Sequence, residues 1–292
     1  MGGLRLGAHM SIAGGPANAL LLGHSIRCDT IQMFVRPANR WESKDLTSQQ
    51  IQDFEQAREA TGIAPIIAHC SYLISLGTPD QTLRDRSLGA LITELKRCQQ
   101  LGIGDYVLHP GAHLGSGEGR GLDRIATGLS AALEAIQGAK VIILLETTAG
   151  QGTNLGYRFE QLAWLIEQVG PHGQLGVCFD TAHVLAAGYE FRQPDSYQAM
   201  WDHFGKVVGM EHLRAVHLND SKRDLGSRID RHEHIGMGAI GLEAFRMLVN
   251  DPRLRHLPML LETPKGPELV EDIENLTLLR GLVSAEEQAQ TS

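Results

Sequence analysis

The stretch "VIILLETTAG", residues 141–150, carries five apolar residues in a row and stops on Glu146. A strand with one wet face alternates polar and apolar side chains. An unbroken apolar run fits a strand covered on both faces, as in a parallel sheet. Near-continuous runs of the same kind recur outward along the chain: "LRLGAH" (4–9), "TIQMF" (30–34), "PIIAH" (65–69), "YVLH" (106–109), "LGVCFD" (175–180), "LRAVH" (213–217) and "PMLLE" (258–262). With "VIILLE" they make eight candidate strands, and seven of the eight stop on His, Asp or Glu.

Amphipathic segments separate these runs at 47–61, 82–101, 122–137, 158–169, 194–208 and 241–249, and one more, 268–283, follows the last run. Eight strands alternating with helices predict a (β/α)8 TIM barrel of the α/β class. An open doubly wound sheet would more often carry a Gly-rich dinucleotide turn after its first strand, and "HMSIAGG" (9–15) lacks that form. No Pro/Ser-rich linker or charge block divides the chain. Residues 1–283 are therefore expected to form one barrel domain, followed by a polar tail over 284–292.

The 292 residues are 42% apolar and 21% charged, a mix able to bury a full core. A net charge of −8 argues against a general nucleic-acid binder, which is usually basic, but bound cations are not in that count. The four cysteines, Cys28, Cys70, Cys98 and Cys178, form no Cys-x-x-Cys pair, which suggests a reducing compartment without a disulfide framework. The start "MGGLRLGAHM" has no long apolar run, so a cytoplasmic protein with no signal peptide or membrane span is expected.

In such a barrel the C-terminal strand ends open onto one face, where active sites sit. That face would collect His9, His69, His109, Glu146, Asp180, His217 and Glu262, with His183, Asp230 and His232 from loops just beyond. Imidazole and carboxylate without thiolate suits zinc or manganese. Singly, each residue also has a plainer reading as a polar group near solvent. "DTAH" (180–183) reads equally as a helix N-cap, "HPGAH" (109–113) as a turn with one structural histidine, and "IGMGAIG" (235–241) as tight turns rather than a phosphate loop. Seven strand ends restricted to His, Asp and Glu, never Ser, Asn or Lys, favour a metal cluster.

The chain resembles the endonuclease IV family of zinc-dependent apurinic/apyrimidinic (AP) endonucleases. The resemblance rests on "GAHMSIAGG" (7–15), "HCSYLISLG" (69–77), "LHPGAH" (108–113), "ETTAGQGTNLG" (146–156), "FDTAHVLAAGY" (179–189), "VHLNDSK" (216–222), "GSRIDRHEHIGMGAIG" (226–241) and "LLET" (260–263). It implies a barrel holding three Zn2+, one site also admitting Mn2+. His69, His109 and Glu146 would hold the first ion. Glu146, Asp180, His217 and Glu262 would hold the second, with Glu146 bridging, and His183, Asp230 and His232 the third. Glu146 and Glu262 are the catalytic candidates, and His234 would be a neighbour, not a ligand. The resemblance also implies a monomer acting on duplex DNA at abasic sites, with no nucleotide cofactor. Tyr72 and Leu73 match the family's wedge into the base stack. Arg36 and Arg40 in "VRPANRW" are candidates for a second DNA loop, although the family often has Arg two residues before the Trp, where this chain has Asn39. Arg228, Arg231 and Lys222 are candidate phosphate contacts.

Phosphodiester hydrolysis needs a nucleophile at neutral pH and relief of phosphate charge. Zinc lowers the pKa of bound water to about 7. Four carboxylate ligands bring −4 and three Zn2+ bring +6, so an acidic chain would present a pocket of net +2 to an anionic diester. The rival readings are a sugar isomerase or epimerase on a related barrel and a non-catalytic zinc or damaged-DNA binder. The imidazole-rich third set argues against the first. An accessible bridged cluster argues against the second, because structural zinc sites are closed and Cys-rich.

Overall fold

The computed structural model describes residues 4–170 and 174–284. The polar tail expected over 284–292 lies, apart from Ser284, outside them. Strands β1 (Arg5–Met10), β2 (Thr30–Phe34), β3 (Ile66–His69), β4 (Asp105–Leu108), β5 (Ile142–Glu146), β6 (Leu175–Asp180) and β7 (Leu213–His217) follow the apolar runs to within a residue or two. A two-stranded antiparallel hairpin, β8 (Asp220–Ser221) and β9 (His232–Glu233), precedes β10 (Pro258–Leu261), the last barrel strand. The barrel strands pair in parallel, and β10 closes the ring against β1.

Helices α1 (Pro16–Ser25), α2 (Ser48–Thr61), α3 (Gln81–Leu101), α4 (Glu118–Ala135), α5 (Phe159–Val169), α6 (Thr181–Ala187), α7 (Pro194–Val207), α8 (Leu242–Asn250) and α9 (Val270–Gly281) link or follow the strands. Local signals set several ends. Thr47 and Gln50 form a reciprocal capping box at α2, a device typically worth about 1 kcal/mol. Asp80 caps α3 through Leu83 N, and Gly102 ends it in the left-handed conformation at φ 65°. The sequence reading did not place α1 or α6. The first has an apolar run, "ALLLG", without helical spacing, and the second has only seven residues.

Strand alternation separates two packing layers. Ile67, Val107, Leu144, Cys178, Ala215 and Leu260, one from each of β3 to β7 and from β10, form a small cluster inside the barrel. Their chain neighbours, such as Ala68, Leu145, Phe179 and Val216, pack outward in the large cluster shared with the helices. This explains the near-continuous runs, since both faces of each strand are dry. Side chains two apart share a face. The residues two beyond the inner layer are His69, His109, Glu146, Asp180, His217 and Glu262. Each polar run end is thus aimed into the barrel mouth. Among the described residues the four cysteines are free and buried, and no helix is long and apolar enough to cross a membrane.

Candidate metal centre

A cavity of about 520 Å3 opens at the C-terminal rim among His9, His69, His109, His183, His232 and Glu262. Three groups of potential ligand atoms meet there, each group within 4.8 Å: His69, His109 and Glu146; Glu146, Asp180, His217 and Glu262; and Asp180, His183 and His232. Glu146 belongs to two of them and divides its oxygens between them. Oε2 lies 3.2 Å from His69 Nε2 and 2.8 Å from His109 Nε2. Oε1 lies 3.2 Å from His217 Nδ1 and 3.3 Å from His183 Nδ1. The third group includes Asp180 beside the expected pair. Asp230 also reaches it, at 3.2 Å from His183 Nε2 and 3.4 Å from His232 Nε2.

The donor chemistry fits cations. His183 Nδ1 and His232 Nδ1 lie 2.8 and 3.2 Å from the carbonyls of Thr147 and Glu262, contacts that require the ring proton on Nδ1. The two Nε2 lone pairs then face each other at 3.4 Å, with Asp230 beside both. His69 repeats the pattern: Nδ1 faces Cys70 O at 2.9 Å, and Nε2 points at Glu146. Acceptors facing acceptors at this distance need positive charge between them, from protons or from metal ions. The spacings suit zinc, since ligands about 2.0–2.1 Å from a tetrahedral ion stand about 3.3 Å apart. Burial opposes ionisation of Glu146, but the imidazoles of His109 and His217 outweigh it and hold its carboxyl well below the usual range. Burial likewise pushes His183 down, but Asp180, Asp230 and Glu146 draw it well above the usual imidazole value.

Asp180 forms the N-cap that "DTAH" suggested and keeps its other oxygen at the cluster. Its Oδ1 accepts from His183 N at 2.8 Å and caps α6, while Oδ2 faces His217 and His232 at 3.6 and 3.7 Å. His234 stays out of the three groups and contacts Asn275. His113 accepts from Gly117 N at the start of α4. The "IGMGAIG" loop has no free anion cradle, because the carboxylate of Asp220 takes the N–H groups of Gly236, Gly238 and Ile240 at 2.9–3.0 Å. A Cβ on Gly238 would stand 2.4 Å from Ser221 O, so this close approach requires glycine.

The sequence reading missed the residues that hold the candidate ligands in place. Asn219 donates to Asp180 Oδ2 at 2.7 Å and accepts from Glu262 N at 2.7 Å. Gln32 bonds Glu262 and His217 together. An Asn directly after "VHL" and a Gln inside an apolar run were the available signals. The expectation that Arg36 contacts DNA is corrected. Its guanidinium is buried and bonds Glu94, Ser71 and the carbonyls of Arg40 and Trp41. At 2% exposure it offers no accessible surface to a phosphate. Arg40, Arg231 and Lys222 are exposed, and Arg231 and Lys222 line the cavity. Arg228 is exposed with its guanidinium 4.1 Å over the Tyr157 ring. Tyr72 is 75% exposed at the cavity mouth, and Leu73 is half-buried.

Residues 22–279 match the family model of the xylose isomerase-like TIM barrel. "Probable endonuclease 4" of Chloroflexus aggregans is 52% identical over 279 residues, covering 96% of this chain and 98% of that protein. The chain belongs to the endonuclease IV family. A second relative in that family, "Probable endonuclease 4" of Geobacter sulfurreducens, is 48% identical and covers 95% of this chain and 94% of its own. The crystal structure of endonuclease IV from Thermus thermophilus superposes with a TM-score of 0.85 at 37% identity, over 95% of this chain and 98% of that one. A D-tagatose 3-epimerase-like protein shares the fold at a TM-score of 0.73 but only 15% identity, over 96% of this chain and 97% of its own.

Proposed function

We propose that this chain is an AP endonuclease that holds three zinc ions and hydrolyses the phosphodiester 5′ to abasic sites in duplex DNA, leaving a 3′-hydroxyl and a 5′-deoxyribose phosphate. The observation that carries this reading is the convergence of three ligand groups on one open cavity, two of them sharing Glu146.

His69, His109 and Glu146 would hold one ion, and Glu146, Asp180, His217 and Glu262 a second. His183, Asp230 and His232 would hold the third, with Asp180 close by. When bound, zinc supplies Lewis acidity and a nucleophilic water at neutral pH. Glu146 is suited to bridge because its two oxygens already face different imidazole pairs. The backbone carbonyls of Cys70, Thr147 and Glu262 turn three imidazoles so that Nε2 faces the cavity. Glu262, at the cavity wall, is the carboxylate best placed to orient the attacking water or take up its proton.

Recognition falls to the rim. An abasic nucleotide lacks stacking and is cheap to extrude. Tyr72 is the wedge we assign, with Leu73 supporting it from a half-buried position. Arg40, Lys222 and Arg231 offer cations to the strand backbone. Arg228 would join them only by leaving Tyr157. The enzyme would act as a cytoplasmic monomer.

The test is a duplex with one internal tetrahydrofuran abasic analogue, incubated with zinc-loaded protein without magnesium. The analogue cannot undergo β-elimination, so a cut must be hydrolytic. A single 5′-side nick with a 3′-hydroxyl is expected. An intact strand with zinc-loaded protein would overturn the reading and favour a sugar substrate on the same barrel.

A further inference from the structure

Gln32 sits inside the barrel, level with the apolar inner layer on one side and with His9 of β1 on the other. It pairs in register with Ile67, a member of the inner layer, and is fully buried. A buried amide destabilises a core unless both ends find partners. Here both ends find them in the metal centre. Gln32 Oε1 lies 2.8 Å from His217 Nε2, and Gln32 Nε2 donates to Glu262 Oε1 at 2.6 Å. The same Nε2 lies 3.0 Å from His9 Nδ1. The amide has one workable orientation, because the flipped form would set its oxygen against the Glu262 carboxylate.

Two consequences follow from that orientation. The proton of His217 must sit on Nε2, so Nδ1 offers its lone pair. That atom faces Glu146 Oε1 at 3.2 Å, Asp180 Oδ2 at 3.6 Å and Glu262 Oε2 at 3.3 Å. Glu262 Oε1 is meanwhile occupied, so the carboxylate presents Oε2. His69, His183 and His232 are oriented by backbone carbonyls. His217 instead depends on a side chain, and does so with the opposite ring nitrogen.

We infer that Gln32 is a positioning residue for the cation held by Glu146, Asp180, His217 and Glu262: it selects the ring nitrogen that His217 offers and restricts Glu262 to one oxygen. The inference rests on the metal reading above. An amide performs this task without charge. A carboxylate in its place would cancel part of the positive potential that the phosphate needs.

The test compares wild type and Gln32→Met, both reconstituted with zinc, by following zinc release to a chromogenic chelator. One ion is expected to bind about 10–100-fold more weakly in the variant, the usual effect of removing a partner of a metal ligand. The remaining zinc should leave as it does from wild type. An unchanged release profile for all the zinc would overturn the inference. Long-range 1H–15N NMR of zinc-loaded wild type needs no variant. A proton on His217 Nε2 is expected, and a proton on Nδ1 would overturn it. Abasic-site cleavage by the same wild-type sample separates the two ideas. Zinc-loaded wild type that fails to cut sinks the nuclease reading and leaves the release and NMR results to decide on Gln32. Wild type that takes up no zinc sinks both.

Discussion

Glu94 and Glu146 are both carboxylates shut away from solvent, at 1% and 0% exposure, and their surroundings are opposite. Glu94, on α3, accepts from Arg36 Nε at 2.6 Å, Tyr106 Oη at 2.7 Å and Ser71 N at 3.1 Å. A permanent cation and two neutral donors satisfy it, and the guanidinium spends its other bonds on Ser71 and the carbonyls of Arg40 and Trp41. Glu146 faces four imidazoles, and three other carboxylates (Asp180, Asp230 and Glu262) stand against the same rings. An imidazole carries charge only when it takes up a proton, and the carboxylates here draw His183 well above its usual value. The first arrangement is charge-balanced by the chain itself and ties two rim loops to a helix. The second has no permanent cation and balances only by taking up protons or metal ions, which suits a site rather than a strut.

The largest expected effect tests the second arrangement. Glu262→Gln should cut abasic-site cleavage by orders of magnitude while metal remains, checked by the tetrahydrofuran gel beside elemental analysis. Wild-type turnover in that variant would remove Glu262 from the mechanism. Arg36→Met tests the first arrangement. It leaves Glu94 buried without its cation, and loss of one partner of a buried pair typically costs about 3–5 kcal/mol. Urea unfolding should register that loss with zinc content unchanged, whereas unchanged stability would mean that Glu94 is not held by charge.

Tyr72→Ala should separate binding from folding. Loss of an aromatic stacking contact is worth about 1–3 kcal/mol, so affinity for an abasic duplex should drop by roughly 5–150-fold. Stability should move by no more than about 0.5 kcal/mol, because the ring is exposed. Unchanged DNA affinity would demote Tyr72 to surface packing.

The smallest effect concerns a balanced carboxylate nearer the surface. Burial pushes Asp251 up, but its bonds from Arg253 and Tyr197 outweigh that and hold it below the usual carboxylate range. A depressed folded pKa contributes stability above the unfolded value, about 3.9, and loses it as pH falls through the lower folded value. The stability gap between wild type and Asp251→Asn should be full near pH 5 and close in stronger acid. A gap constant with pH would show that the group contributes packing alone.

The sequence alone determined the barrel and most of the residues that converge at its mouth. Runs such as "VIILLE" are dry on both faces, and strand alternation carries the apolar inner residue to a polar one two positions on, so Leu144 leads to Glu146 and Ala215 to His217. These relations are local and periodic, and periodicity is legible in one dimension. The tertiary structure decided how the polar groups pair. It buried Arg36 against Glu94, 58 positions away in the chain, which no local pattern announces. It also set Gln32 beside Glu262 and His217, 230 and 185 positions away. Ring closure of β1 on β10 brings those groups together, and the orientation of an amide or the protonated nitrogen of an imidazole exists only once its partners have arrived.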